Sequence, residues 1–316
     1  MNVEKKKPNM TIIVPLFNEE QTLTELFYQL DKLRMKLTKL DISFLFINDG
    51  STDNSLEILE DLSNKFEYVK IISFTRNFGH QAAIAAGINF CTDDYAVIID
   101  ADLQDPPNEI ENLYLKSLEG YDVVHARRSV RKGETIFKKF TASLFYKLFN
   151  YLSDTKIPNN VGDFKLINKK VLNELKKLKE KNKFIRGLIP WTGFKSTFHE
   201  YERNKRFAGH TKYNIFKMSK LAIDGSISFS SKIINFFSIL SILITSLSFL
   251  FGIYLIIYKL IYLNKIIPGF TALITCIIFF SGTILMFLSI IAQYIIRIQV
   301  QVKDRPEYVI KKIINL

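Results

Sequence analysis

The sequence predicts an α/β protein built on an open, largely parallel sheet, followed by two long apolar segments. Short apolar runs alternate with amphipathic helical stretches through the first part of the chain. Polar residues gather just after each apolar run. Further on, two segments carry no charged residue at all.

Taken in order, Thr11–Val14 reads as a strand and Glu19–Leu40 as a helix, with apolar residues at Leu23, Leu26, Phe27, Leu30 and Leu33. Ile42–Ile47 is a strand, and Asn48-Asp49-Gly50-Ser51 a turn. A helix follows over Asp53–Phe66, a strand over Val69–Ser73, a helix over Gln81–Phe90 and a strand over Tyr95–Ile99. Pro107–Leu118 is helical, with proline in its first turn, and Asp122–His125 is a fifth strand. Sheets of this kind bind ligands at the carboxyl ends of their strands. Asn18 and Glu19, Asp49, Arg76 and Asn77, Asp100 with Asp102 and Gln104, and Arg127 with Arg128 all fall at such ends. Five polar groups meeting on one sheet edge argue for a site. No GxGxxG or GxxxxGK[ST] run is present, which removes dinucleotide and P-loop readings.

The chain has 316 residues, 48 % of them hydrophobic, and a formal net charge of +12. That charge suits phosphorylated ligands, an anionic surface or nucleic acid; no nucleic-acid motif is visible, so nucleic acid is set aside. Cys91 and Cys276 form no CxxC or Cys/His cluster and read as packed structural thiols. Segments 233–258 and 266–296 each exceed the roughly 20 apolar residues needed to cross ~30 Å of hydrocarbon. The expectation is a two-helix transmembrane hairpin over 231–296. Flanking lysines and arginines would place the domain 1–230 and the tail 297–316 in the cytoplasm, in a multi-pass plasma-membrane protein. Segments of about 134–153 and 213–230 read as amphipathic helices lying in the interface.

Asp100-Ala101-Asp102-Leu103-Gln104-Asp105-Pro106-Pro107 leaves an apolar strand, and carboxylates two apart in extended chain point the same way. Such oxygen ligands suit a hard cation, Mg²⁺ or Mn²⁺, bridged to a diphosphate. Together with Val14-Pro15-Leu16-Phe17-Asn18-Glu19 and Asn48-Asp49-Gly50-Ser51-Thr52-Asp53, this segment resembles family 2 glycosyltransferases of the GT-A, Rossmann-like fold. Gly162-Asp163-Phe164-Lys165-Leu166, Phe184-Ile185-Arg186-Gly187 and Arg206-Phe207-Ala208-Gly209-x-Thr211-Lys212-Tyr213 narrow the resemblance. They are similar to polyprenyl-phosphate glycosyltransferases, the bactoprenol glucosyltransferase and dolichyl-phosphate mannose synthase group.

That resemblance implies a nucleoside pocket of Pro15, Phe17, Glu19, Asp49 and Arg76. It implies a cation held by Asp100, Asp102 and Gln104, and donor phosphates clamped by Arg206 and Lys212. Arg128, Lys139 and Ser143 would take the phosphate of an undecaprenyl or other polyprenyl acceptor, with Asp163 as base or acceptor-orienting group. The implied reaction is an inverting hexosyl transfer, with UDP-glucose as first donor and N-acetylglucosamine or mannose as alternatives. A homo-oligomer stays open, and a flippase and a downstream transferase are partners by resemblance alone. Asn48 departs from the pattern, where many relatives have a second acid. A non-catalytic membrane scaffold is the reading from another class.

Overall fold

The computed structural model describes residues 7–129, 161–180, 183–204, 250, 257, 261 and 269–316. Of these, 7–129, 161–180, 183–204 and 306–316 belong to one compact unit, and 269–305 lie in a second.

The first unit contains β1 (Asn9–Leu16), α1 (Leu23–Lys36), β2 (Asp41–Asn48), α2 (Ser55–Lys65), β3 (Val69–Phe74), α3 (His80–Phe90), β4 (Tyr95–Ile98), α4 (Glu109–Ser117) and β5 (Val123–Arg128). It continues with β6 (Val161–Asn168), α5 (Lys169–Lys177), α6 (Ile185–Trp191) and β7 (Ser196–Tyr201), and ends with β8 (Ile310–Ile314). The eight strands form one sheet in the order β7-β5-β6-β4-β1-β2-β3-β8.

β1 pairs in parallel with β2 and with β4, so the strand order reverses at β1. That reversal opens a crevice beyond the carboxyl ends of β1 and β4, the usual ligand position in such a sheet. The central strands are apolar runs buried almost throughout, as expected when helices cover both faces. α1 buries a stripe of Leu23, Leu26, Leu30 and Leu33. α3 packs closely on β1: a Cβ at Gly87 would lie 2.3 Å from the Ile13 Cγ2 methyl, so glycine lets the helix approach.

The sheet is more mixed than the sequence predicts. β6 runs antiparallel between β4 and β5, and β8 adds antiparallel to β3. α1 also begins later than residue 19. Asn18 has a positive φ of 54°, and the amides of Glu19 and Glu20 donate to Ser55 and Asp53 instead of entering a helix.

In the second unit, α7 (Gly269–Val302) runs for 34 residues. Leu273, Ile277, Phe280, Ile284, Leu288, Ile291 and Ile295 recur at helical spacing along it and are exposed. Among the described residues, however, no helix is long and apolar enough to cross a membrane. The expected transmembrane hairpin and multi-pass plasma-membrane localisation, with the cytoplasmic placing of both termini that depended on them, are corrected accordingly. Segment 233–258 lies outside the described residues except Leu250 and Ile257. The amphipathic segments 134–153 and 213–230 also lie outside the described residues.

Candidate active site

The ends of β1 and β2 are stitched together by short polar side chains. The Asn18 amide N–H donates to Ser51 Oγ at 3.0 Å, and Thr52 N–H donates to Asn18 Oδ1 at 2.8 Å. Asn48 is buried; its Nδ2 donates to Ser73 Oγ at 3.0 Å while its Oδ1 accepts from Ser51 N–H at 3.1 Å. An ionised acid at this position could accept but not donate, so the amide here joins β2 to β3. Gly50 has φ +66°, and a Cβ there would lie 2.3 Å from the backbone carbonyl carbon of Arg76. Any other residue would push the β3–α3 loop away.

Asp49 holds that loop directly. Its buried carboxylate accepts from the backbone N–H groups of Phe78 at 2.7 Å and Gly79 at 3.0 Å. Burial pushes its pKa up, against the pull of those two amides. Pro15 is buried in β1, in register with Ile47, and Phe17 and Glu19 are half-buried just beyond it. The Arg76 guanidinium lies over the Phe78 ring at 4.2 Å. Of the residues expected around a nucleoside, Pro15 lies near the end of β1 and the others occupy the loops following β1, β2 and β3, and Asp49 also shapes the loop that carries Arg76.

A charged cluster sits on the other side of β1. Asp163, on β6, is 1 % exposed. Arg186, on α6, donates to it through both forks, Nε to Oδ1 at 2.8 Å and Nη2 to Oδ2 at 2.6 Å. His80, in the first turn of α3, places Nε2 3.1 Å from Asp163 Oδ2 and 3.5 Å from Asp100 Oδ1. Burial opposes charge on His80, but Asp100 and Asp163 outweigh it and raise its pKa to about 9. Burial raises Asp100 to about 6 despite His80. Burial would raise Asp163 as well; Arg186 and His80 overcome it and hold the carboxyl well below the usual range. One pleat along β6, Lys165 is fully buried, and burial lowers it to about 8.

Asp100, Asp102 and Gln104 follow β4 in one short segment. Asp102 Oδ1 accepts from the Gln104 backbone N–H at 3.2 Å, and Asp102 Oδ2 is 4.0 Å from Arg203. Among the described residues, the group whose ligand atoms lie within 4.8 Å of one another is His80, Asp100 and Asp163. Asp100 Oδ1 is buried and accepts no hydrogen bond, so an oxygen stands ready for a cation. Once His80 gives up its proton, imidazole nitrogen with carboxylate oxygens is a donor set that fits a divalent metal.

Beyond β5, a third group surrounds Asp105, which is 0 % exposed. Tyr201 OH donates to its Oδ1, Arg203 Nε donates to the same oxygen at 3.2 Å, and Arg128 Nη2 is 3.9 Å from Oδ2. Arg128 is thus on the edge of the site. Lys139, Ser143, Arg206 and Lys212 lie outside the described residues.

This fold and site have relatives. The pattern that defines Glycosyl transferase family 2 matches residues 11–176, more than half of the chain. The chain belongs to glycosyl transferase family 2. An uncharacterized glycosyltransferase of Bacillus subtilis (strain 168) is 46 % identical over 302 residues, covering 96 % of this chain and 93 % of its own. The SfII prophage-derived bactoprenol glucosyl transferase of Shigella flexneri is 38 % identical, over 96 % of this chain and 97 % of its own. The prophage bactoprenol glucosyl transferase homolog of Escherichia coli (strain K12) is 36 % identical, over 96 % and 99 %.

Within this family 2 enzyme, several residues at the site escaped the sequence reading. His80 has no metal-ligand spacing in the sequence. The available signal was its place directly after the Arg76–Gly79 loop, at a strand end like the other polar groups. Arg186 and Lys165 were seen as parts of motifs without a role, and Asp105 and Arg203 were given none. Their partners lie on other elements, which no local pattern reports.

Proposed function

We propose that this glycosyltransferase moves glucose from UDP-glucose to a polyprenyl phosphate. The observation that carries the reading is its similarity, over nearly the whole of both chains, to proteins named bactoprenol glucosyl transferase. In the reaction a phosphate oxygen of the acceptor attacks the anomeric carbon. The bond from that carbon to the nucleoside diphosphate breaks as the new bond forms, and the electron pair leaves on the diphosphate. One displacement inverts the anomeric centre.

The acceptor is a phosphate monoester, largely ionised near neutral pH, so it needs little help from a base. Asp163 suits that chemistry in a particular way. A buried carboxylate held by Arg186 and His80 stays ionised and is a poor proton acceptor. Its part in this reading is orientation: it fixes Arg186 and His80 beside Asp100. A bound Mg²⁺ or Mn²⁺ would neutralise charge on the departing diphosphate. Asp100 would hold it, with His80 and Asp163 nearest in the present arrangement and Asp102 and Gln104 as the ligands the family resemblance implies. Pro15, Phe17, Glu19, Asp49 and Arg76 are assigned to the nucleoside, and Arg206 and Lys212 to its phosphates. Arg128, Lys139 and Ser143 are assigned to the acceptor phosphate.

The test is a lipid-extraction assay. The full-length protein is incubated with undecaprenyl phosphate, Mg²⁺ and labelled UDP-glucose, UDP-N-acetylglucosamine or GDP-mannose in separate tubes. Label is expected in the organic phase from UDP-glucose, and is lost with EDTA and with Asp100→Asn. Transfer from another donor would replace the sugar; folded protein that labels no lipid would overturn the acceptor.

A further inference from the structure

Asp105 has an environment that the reaction described above does not explain. It is a fully buried carboxylate facing Arg128 at the end of β5, Arg203 just after β7, and Tyr201. Two guanidinium groups converge on this one carboxylate, with Asp102 as a second acidic neighbour of Arg203. Each guanidinium has five N–H donors and spends few of them on Asp105. Arg128 gives Nε to Tyr201 OH at 3.5 Å, and Arg203 brings Nη2 within 4.0 Å of Asp102. Both side chains keep an open face, at 32 % and 18 % exposure. Asp105 Oδ2 accepts no hydrogen bond, so Arg128 stands off from it at 3.9 Å and is not fully engaged. Gly162 makes room for this: a Cβ there would lie 2.7 Å from Arg128 Nη2.

We propose that Asp105 is a positioning residue that sets Arg128 and Arg203 as the two halves of one phosphoryl-binding cradle, making Arg203 a phosphate ligand in its own right. Planar guanidinium forks bind phosphoryl oxygens in pairs, and two forks fixed on a common buried anchor meet the ligand with little left to order. Arg203 comes within 4.0 Å of Asp102 and Arg128 ends β5, so both guanidinium groups sit beside the acidic segment that follows β4. The phosphoryl group belongs to the acceptor monoester or to the donor diphosphate; the chemistry of recognition is the same. The identity of those two substrates rests on the function proposed above.

Two measurements test it on the full-length protein. Binding of inorganic phosphate and pyrophosphate is followed by calorimetry in EDTA, and KM values for polyprenyl phosphate and nucleotide sugar are determined separately. Arg203→Gln is expected to weaken anion binding about tenfold and raise one KM by a similar factor, with little change in kcat. Arg203→Lys should recover part of the loss. A rise in the lipid KM assigns the cradle to the acceptor, and a rise in the donor KM to the diphosphate. Asp105→Asn should shift the same KM and add little in the Arg203→Gln background. If Asp105→Asn does not fold, Tyr201→Phe tests the anchor with its charge intact, and an unchanged KM there overturns the positioning role. Anion binding and both KM values left at wild-type levels by Arg203→Gln would reduce the group to a structural ion network. If no donor labels the lipid, the proposed reaction fails while the anion titrations still decide the cradle.

Discussion

Asp49 and Asp163 are both buried carboxylates on the same edge of one sheet, yet their surroundings push them in opposite directions. Asp49 is held by two neutral backbone amides, and burial wins, raising its pKa. Asp163 is held by a guanidinium fork and an imidazole, and charge wins over burial. Backbone donors fix a loop without committing a formal charge to it. Charged donors hold the carboxylate ionised, and leave every member of the group dependent on the others. The β3–α3 loop is therefore tied to Asp49 through its main chain, whereas the group around Asp163 is tied through side chains alone.

The strongest way to break this contrast is Arg186→Met. It leaves Asp163 buried with His80 as its remaining described partner, and breaking such a pair costs about 3–5 kcal/mol. A large drop in the thermal midpoint is expected. A variant that melts like wild type would show that the fork is not holding a buried charge.

Gly50→Ala attacks the main-chain side. The positive φ and the 2.3 Å approach to the Arg76 carbonyl carbon force the loop to move, at a cost of about 1–3 kcal/mol. Weaker nucleotide binding is expected with sugar transfer otherwise intact at saturating donor. Unchanged affinity would mean that this loop does not frame the nucleotide.

The smallest effect is a pH slope, measured in EDTA. His80 is raised from 6.5 to about 9, so its contribution to stability is fully present below pH 6.5 and is lost as pH rises through about 9. Lys165 moves the other way, from 10.5 to about 8, so its own contribution to stability rises with pH above about 8. His80→Gln should flatten the fall between pH 6.5 and 9 and leave the lysine part in place. A fall that persists in His80→Gln would remove the imidazole from its bridge between Asp100 and Asp163.

The five strands through His125 and the sheet edge they present were legible, because apolar runs and helical stripes are local signals. The rest was hidden for identifiable reasons. In β6 one face carries Asp163 and Lys165, both 1 % exposed, and buried charge in a strand looks like a solvent-facing side. β8 is Ile310–Ile314, with exposed lysines in its middle, and reads as tail until β3 is placed beside it. The local course of the chain from Asp100 to Gln104 was also hidden, because the sequence reading took it as extended. Leu103, at φ 58°, turns the backbone there, and Asp102 folds back on the Gln104 amide. His80 and Arg186 reach Asp163 from separate helices, across 83 and 23 residues.

β8 has a consequence for the order in which the protein is made. Its residues pair with Ile71–Phe74, Tyr308 stacks on Phe74 at 4.9 Å, and Asn315 donates to the carbonyls of Ser63 and Val69. During synthesis β3 leaves the ribosome long before these partners exist, so one flank of the sheet waits as an unpaired edge while more than two hundred residues follow. The strand that guards this edge is made more than two hundred residues after β3, so synthesis of β8, not folding of the first five strands, closes the window for mispairing.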